Sequence, residues 1–311
     1  MRAFTLDSFE RPPGLREDLP TPQAGPSQLL VRVQASSVNP VDAGIAAGHL
    51  KDMFPHEFPV LVGRDYAGVI EQVGAGVTGY AAGDAVFGFV PGMSPGVHDG
   101  SWAELIVVPQ DQVAHLPEGV DLAQAGAAPL AGVTALAVHD ALGLGQGDTV
   151  LMVGANGGVG TFAVQLAAAT GATVLAPGLP EDRDYLRGLG VAEVLDRNSD
   201  VAAQVRERHP EGVDALADFA SRSPEQLGTY GAVVREGGPI ASSAGAAGEG
   251  PGRTNVMAVP AAATLDRLAG LLADGTVAVP IQASYPLAQV DQALKTLGGQ
   301  HTQGKVAITL P

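Results

Sequence analysis

The sequence predicts an α/β protein in two parts, a barrel-like β domain and then an open, doubly wound parallel sheet. Three observations carry this. Up to about residue 115, short β-branched or alternating runs are separated by Pro and Gly. After Asp121, Ala-rich helical stretches alternate with short apolar strands. Between Thr149 and Pro180 an apolar strand, a glycine turn and a helix follow one another without an Asp, Glu, Lys, Arg or His. The first texture is that of a compact β domain, the second that of βαβ units. Length agrees, since 311 residues make about two domains at ~150 residues each.

In order along the chain, the spacing predicts strands over Leu29–Val33, Ala67–Val73, Ala85–Val90 and Leu105–Val108. The second texture predicts strands over Val150–Val153, Thr173–Leu175, Glu193–Leu195, Ala215–Ala217 and Ile240–Ser242, with a helix over Thr161–Ala169. Two late helices, Ala262–Ala273 and Leu287–Leu297, run into Asp274-Gly275 and Gly298-Gly299, which are good C-terminal stops. Lys305–Leu310 reads as a closing strand. The uncharged run is longer than the ~20 residues a membrane helix needs. Gly154, Gly157, Gly158, Gly160 and Gly171 break it, however, and buried parallel strands also read as continuous apolar runs. The N-terminal segment carries Asp7 and no apolar stretch, so it is not a secretory signal. The expectation is a soluble cytoplasmic protein.

Composition narrows the chemistry. Lys and Arg number 17 against 33 Asp and Glu, a formal charge of −16; such a surface repels nucleic-acid phosphates and anionic lipid, and neither is an expected partner. Hydrophobic residues make up 46%, enough for a sizeable core. Gly 42 and Pro 23 are about a fifth of the chain, short of the ~25–30% of low-complexity sequences. The absence of cysteine excludes a disulfide scaffold, a thiolate zinc site, an iron–sulfur cluster and a thiol nucleophile.

The sharpest motif is the turn after Val153, with Ala155, Gly157 and Gly160 in the three small-residue places of G-x-G-x-x-G and Asn156, Gly158 and Val159 between them. Small residues allow a tight turn, close approach of backbone N–H groups to a pyrophosphate, and close packing of helix on strand. The helix N-terminus then holds the anion through free N–H groups and its dipole. NAD sites usually place an acid where the second strand ends, but here that strand ends in Leu175-Ala176-Pro177-Gly178. Glu181 and Asp182 come later; Arg183 follows them, and Arg197 follows the third strand. Either arginine could meet a 2′-phosphate, which favours NADPH, although Arg183 also reads as a solvated helix-face residue.

Several segments together resemble the zinc-independent medium-chain dehydrogenase/reductases, in their quinone oxidoreductase (zeta-crystallin-like) branch. They are Asn39-Pro40-Val41-Asp42, Gly63-Arg64-Asp65-Tyr66-Ala67-Gly68-Val69-Ile70, Gly83-Asp84-Ala85-Val86 and Gly100-Ser101-Trp102-Ala103-Glu104, followed by Ala127–Ala135, the turn at 154–160 and the tail Gln303–Ile308. The resemblance implies a GroES-like catalytic domain over 1–120, completed by 262–311, and a Rossmann dinucleotide-binding domain over 121–261, with substrate and nicotinamide meeting in the cleft. It implies Asn39 and Asp42 on the nicotinamide and substrate side, Thr134 on the cofactor, and a homodimer joined at sheet edges. Arg64 stands where zinc-using relatives carry a ligand histidine, and their cysteine ligands are missing, so no zinc is expected. His49 and His56 with Glu57 match no metal-binding spacing.

Without a Lewis acid to polarise an isolated carbonyl, hydride transfer suits acceptors that are conjugated, quinones and α,β-unsaturated carbonyls. Many quinone-reducing relatives carry a tyrosine and an arginine at the places of Gly44 and Ala46. Their loss implies a larger pocket, admits bulkier enones and enoyl thioesters, and leaves Tyr66 as a substitute hydroxyl, although a tyrosine beside Ala67-Gly68 also reads as packing. Two other classes are weighed. Gly92-Met93-Ser94-Pro95-Gly96 imitates a nucleophile elbow, but Pro95 lacks the N–H that an oxyanion hole would use. No tyrosine has lysine four residues on, which excludes the short-chain dehydrogenases. A protein that binds NADPH without turnover, as a structural or regulatory member of the same fold, stays open.

Overall fold

Residues 1–91, 96–299 and 301–311 are described by the computed structural model. They fall into two units, Met1–Leu130 with Val259–Asp274 and Val279–Pro311, and Ala131–Ala258 with Gly275–Ala278. The first unit opens with β1 (Ala3–Leu6), β2 (Gly14–Arg16), β3 (Gln28–Val38), α1 (Pro40–Ala46), β4 (Val60–Leu61), β5 (Asp65–Val73), β6 (Ala85–Phe89), β7 (Leu105–Pro109), β8 (Val113–His115) and α2 (Leu122–Ala127). β3 organises it. Its first half lies between β5 and β7, and its last residues pair with the tail, Val38 opposite Val306. Partners along both edges explain why this strand is buried over most of its length. Trp102 closes the core, fully buried, with its ring edge-to-face on Phe4 at 5.8 Å and its Nε1 donating to Ser37 O at 3.1 Å. A buried indole is stable here because its one donor is satisfied.

The second unit takes up most of α3 (Pro129–Leu142) and then β9 (Thr149–Val153), α4 (Gly158–Ala169), β10 (Thr173–Gly178), α5 (Arg183–Leu189), β11 (Glu193–Asp196), α6 (Val201–Arg208), β12 (Ala215–Asp218), α7 (Pro224–Gly231), β13 (Ile240–Ser242) and β14 (Arg253–Asn255). All its strand pairs are parallel, in the order β11-β10-β9-β12-β13-β14. The chain therefore winds outward one way from β9 and then the other, and the direction switches between β9 and β12. At such a switch point the carboxyl ends of the strands leave a crevice for ligand. The tail, α8 (Ala262–Ala273), β15 (Ile281–Pro286), α9 (Val290–Leu297) and β16 (Lys305–Thr309), belongs to the first unit except at 275–278. There β16 lies between β15 and β3.

Several elements differ from the sequence reading. α4 begins at Gly158 rather than Thr161, because the glycine turn is itself the first helical turn. β10 runs on to Gly178, held by pairing with Asp196 of β11. The helix expected from Leu287 opens as a 3₁₀ turn after Pro286 and becomes α-helical at Val290. The strands β1, β2, β4, β8, β14 and β15 had no expectation; most are too short to carry a pattern, and β15 alternates between half-buried and exposed. Of the elbow-like sequence, Gly92–Pro95 lie outside the described residues.

Candidate active site

In the second unit the glycine turn takes the shape its residues allow. Gly154 adopts φ +83° at the carboxyl end of β9, a conformation side chains rarely take. Gly160 has no room for more: a Cβ there would stand 2.2 Å from Gly154 O and 2.6 Å from Ala155 Cα. Gly157 is different, with an ordinary φ of −78° and a Cβ position whose nearest neighbour is Gly154 O at 3.5 Å. The space above it is open. Gly157 is also the N-cap of α4 and has no side chain to cap the first N–H groups. An uncapped helix start at the end of a central parallel strand fits the diphosphate of a dinucleotide. Ala155 is buried, Thr161 Oγ1 donates to Gly157 O at 2.9 Å, and Tyr185 OH of α5 lies 2.9 Å from the same hydroxyl. Asn156, Gly158 and Val159 complete the turn, and Thr134 sits nearly buried on α3 in the same unit.

Arg183 and Arg197 are exposed, each just beyond the carboxyl end of a strand, β10 and β11 respectively. The Arg197 backbone N–H donates to Gly178 O at 3.1 Å, so this residue is tied to the end of β10 as well. Asp182 does not serve as the acid of a ribose site. It is fully buried, and its Oδ2 accepts the Leu179 N–H at 3.0 Å.

In the first unit, Asn39 and Asp42 come together with charged residues that the sequence reading treated as strand and tail matches. Asn39 Nδ2 donates to Asp65 Oδ2 at 2.8 Å and to Asp42 Oδ2 at 3.2 Å, and Lys305 Nζ donates to Asn39 Oδ1 at 2.6 Å. Lys305 Nζ is also 3.4 Å from Asp65 Oδ2, and Arg64 Nε is 3.8 Å from Asp42 Oδ1. Asp42 and Asp65 are 0% exposed, Arg64 2% and Lys305 3%. Two acids and two bases therefore share one buried cluster, which is how buried charges persist. Burial pushes the Asp42 carboxyl up to about 7; the Asp65 charge adds to this, while Arg64, the Asn39 N–H and Lys305 oppose it. Burial likewise holds Arg64 below the usual guanidinium range. The Arg64 guanidinium donates to the carbonyls of Leu61, Pro91 and Asp99. The readable signal was a lysine heading an apolar strand and an aspartate opening another.

Asn39 is 5% exposed and its whole carboxamide is engaged, so Asn39 and Asp42 hold the start of α1 in place. Tyr66 is 0% exposed in the core of the first unit. Its hydroxyl finds no hydrogen-bond partner among the described residues, and burial raises its pKa. This is the packing position that a tyrosine beside Ala67-Gly68 also reads as. For zinc the donor set is wrong, with no thiolate and with a guanidinium and an ammonium inside the acidic cluster. His56 lies against the rings of Phe9 and Phe58, and the described residues hold no group of three His, Cys, Asp or Glu suited to a metal ion.

Residues 25–118 match the family model of the alcohol dehydrogenase GroES-like domain, and residues 158–274 that of zinc-binding dehydrogenase. The chain is 32% identical over 333 aligned residues, 100% of its length, to phthioceranic/hydroxyphthioceranic acid synthase of Mycobacterium tuberculosis, but spans only 15% of that protein. It is 29% identical to the chloroplast envelope quinone oxidoreductase homolog of Arabidopsis thaliana, covering 93% of this chain and 91% of that one. The quinone oxidoreductase from Coxiella burnetii superposes with a TM-score of 0.88 at 26% identity, over 100% of this chain and 99% of the other. With a GroES-like unit and a doubly wound dinucleotide-binding unit in this order, the chain belongs to the medium-chain dehydrogenase/reductases and is similar to their quinone-oxidoreductase type.

Proposed function

We propose that the chain transfers hydride from NADPH to a quinone or an α,β-unsaturated carbonyl, without zinc. One observation carries the reading: the uncapped turn at Gly157 and Gly158 is followed by a strand that ends in Gly178 without an acid and is flanked by Arg183 and Arg197. Bound NADPH supplies a hydride at its nicotinamide C4. The backbone N–H groups of residues 157–160 hold the diphosphate, Arg183 and Arg197 the 2′-phosphate, and Thr134 packs on the cofactor from α3. Asn39 and Asp42 fix α1, whose residue Gly44 has open space where a Cβ would project. With Tyr66 buried and Asp42 enclosed, solvent provides the proton that completes reduction. The protein works in the cytoplasm as a homodimer joined along the exposed edge strand β14.

The test is consumption of NADPH at its nicotinamide absorbance with phenanthrenequinone, a simple enone and an enoyl thioester. The thioester belongs in the panel because the chain matches a segment of an acid synthase. Turnover of at least one acceptor, with NADPH preferred over NADH, is expected. Fluorescence quenching without consumption across the panel would leave a non-catalytic NADPH-binding protein instead. A monomer in sedimentation would remove the dimer.

A further inference from the structure

Asn39 occupies the N-cap position of α1, with extended backbone at φ −121° and ψ 158°. A side-chain oxygen in that position ordinarily accepts from an N–H of the first helical turn. Here Oδ1 accepts from the ammonium of Lys305, 266 residues away in sequence, at 2.6 Å. The register explains the meeting. Val306 of β16 pairs with Val38 of β3, so the residues one step beyond, Lys305 and Asn39, come opposite each other where β3 gives way to α1. With Oδ1 so fixed, Nδ2 points to Asp65 Oδ2 and Asp42 Oδ2. Asp42 Oδ2 also accepts the Asn39 backbone N–H at 2.8 Å, while Asp65 accepts from Ser37 Oγ at 2.5 Å and from the Leu130 N–H at 2.6 Å.

We propose that Lys305 is a positioning residue for the substrate side of the reaction. By holding the Asn39 carboxamide, Lys305 locks the first turn of α1 to β3, β5 and β16. This rests on the function proposed above only in giving α1 to the substrate. Without the ammonium, Asn39 Oδ1 loses this partner, Nδ2 leaves Asp65, and α1 shifts. Well-packed apolar residues often stabilise a core as much as a buried charge pair does, so charge balance alone does not account for a lysine here.

Two variants separate positioning from charge balance. Lys305→Met removes the donor to Asn39. Lys305→Met with Asp65→Asn removes one charge of each sign and restores the net charge of the wild-type cluster. For each, the NADPH dissociation constant, kcat and KM with phenanthrenequinone, the thermal midpoint and amide exchange over residues 40–46 are measured. The expected result for Lys305→Met is a kcat lower by about a hundredfold, the scale of a small misplacement, with NADPH affinity unchanged. Exchange over α1 is faster and over α4 unaltered. The double variant regains the thermal midpoint but neither kcat nor α1 protection. Recovery of kcat and protection together with the midpoint would reduce Lys305 to a counter-charge and overturn the proposal, as would wild-type α1 exchange in the single variant. If the single variant does not fold, the double variant decides alone. If the wild-type protein reduces no acceptor, the functional reading fails while α1 exchange still tests the lock.

Discussion

At the residue scale, the two units pose opposite problems. In the glycine turn the question is what a missing side chain makes possible. Gly157→Asp is expected to fold with an unchanged far-ultraviolet spectrum, since its Cβ meets only Gly154 O at 3.5 Å, yet to lose NADPH quenching because a carboxylate faces the diphosphate. Gly160→Ala is expected to cost about 1–3 kcal/mol in urea unfolding, the usual range for overpacking, because its Cβ would lie 2.2 Å from Gly154 O. In the charge cluster the question is protonation. Folded Asp42 keeps its proton to about pH 7, whereas an unfolded aspartate releases it near ~3.9. Between those values the folded state binds the extra proton, so stability contributed by this group is full at low pH and is lost as pH rises through the window. Facing Arg64, Asp65, Asn39 and Lys305, Asp42→Asn removes that dependence. Relative to wild type, the variant should gain stability from about pH 4 to 7 and then level off, by at most about 4 kcal/mol. A difference that stays flat over that range would refute the raised value.

At the scale of elements, cofactor choice lies in two strand ends. β10 closes with Gly178, Arg183 begins α5, and Arg197 is tied back to Gly178 by its backbone. Arg183→Ala is expected to weaken NADPH about tenfold, equivalent to one charge-assisted contact of about 1.4 kcal/mol, and to leave NADH unchanged. Unchanged affinity for both would place Arg183 on the helix surface with no 2′-phosphate to meet. α1 is the counterpart in the first unit. Its own sequence, with Pro40 at the first helical position and Asp42 in the first turn, is enough to start a helix. Its placement comes from β16 and β5, since seven residues are too few to hold a helix by local preference.

At the scale of the whole molecule, ligand binding should report on the units separately. NADPH at about a hundred times its dissociation constant should stabilise the native state by ~2.7 kcal/mol, read as a raised urea midpoint. The added exchange protection should concentrate in residues 131–258. Protection confined to the first unit would contradict the turn as the cofactor site. The sequence by itself determined the fold class, the order of the two units and the turn. Strand, glycines and helix are contiguous there, and periodicity and turn chemistry act over a few residues. Zero cysteines likewise settled that no thiolate holds a metal. Only the tertiary structure decided what Asn39, Asp42 and Tyr66 touch and how deeply they are buried. Asn39 before Pro40 reads locally as a plain turn, and nothing near it in sequence announces Lys305. Tyr66 reads as an available hydroxyl until burial removes it. Burial and long-range charge pairing are properties of the packed sheet, set when β16 closes against β3, and local sequence patterns do not encode them.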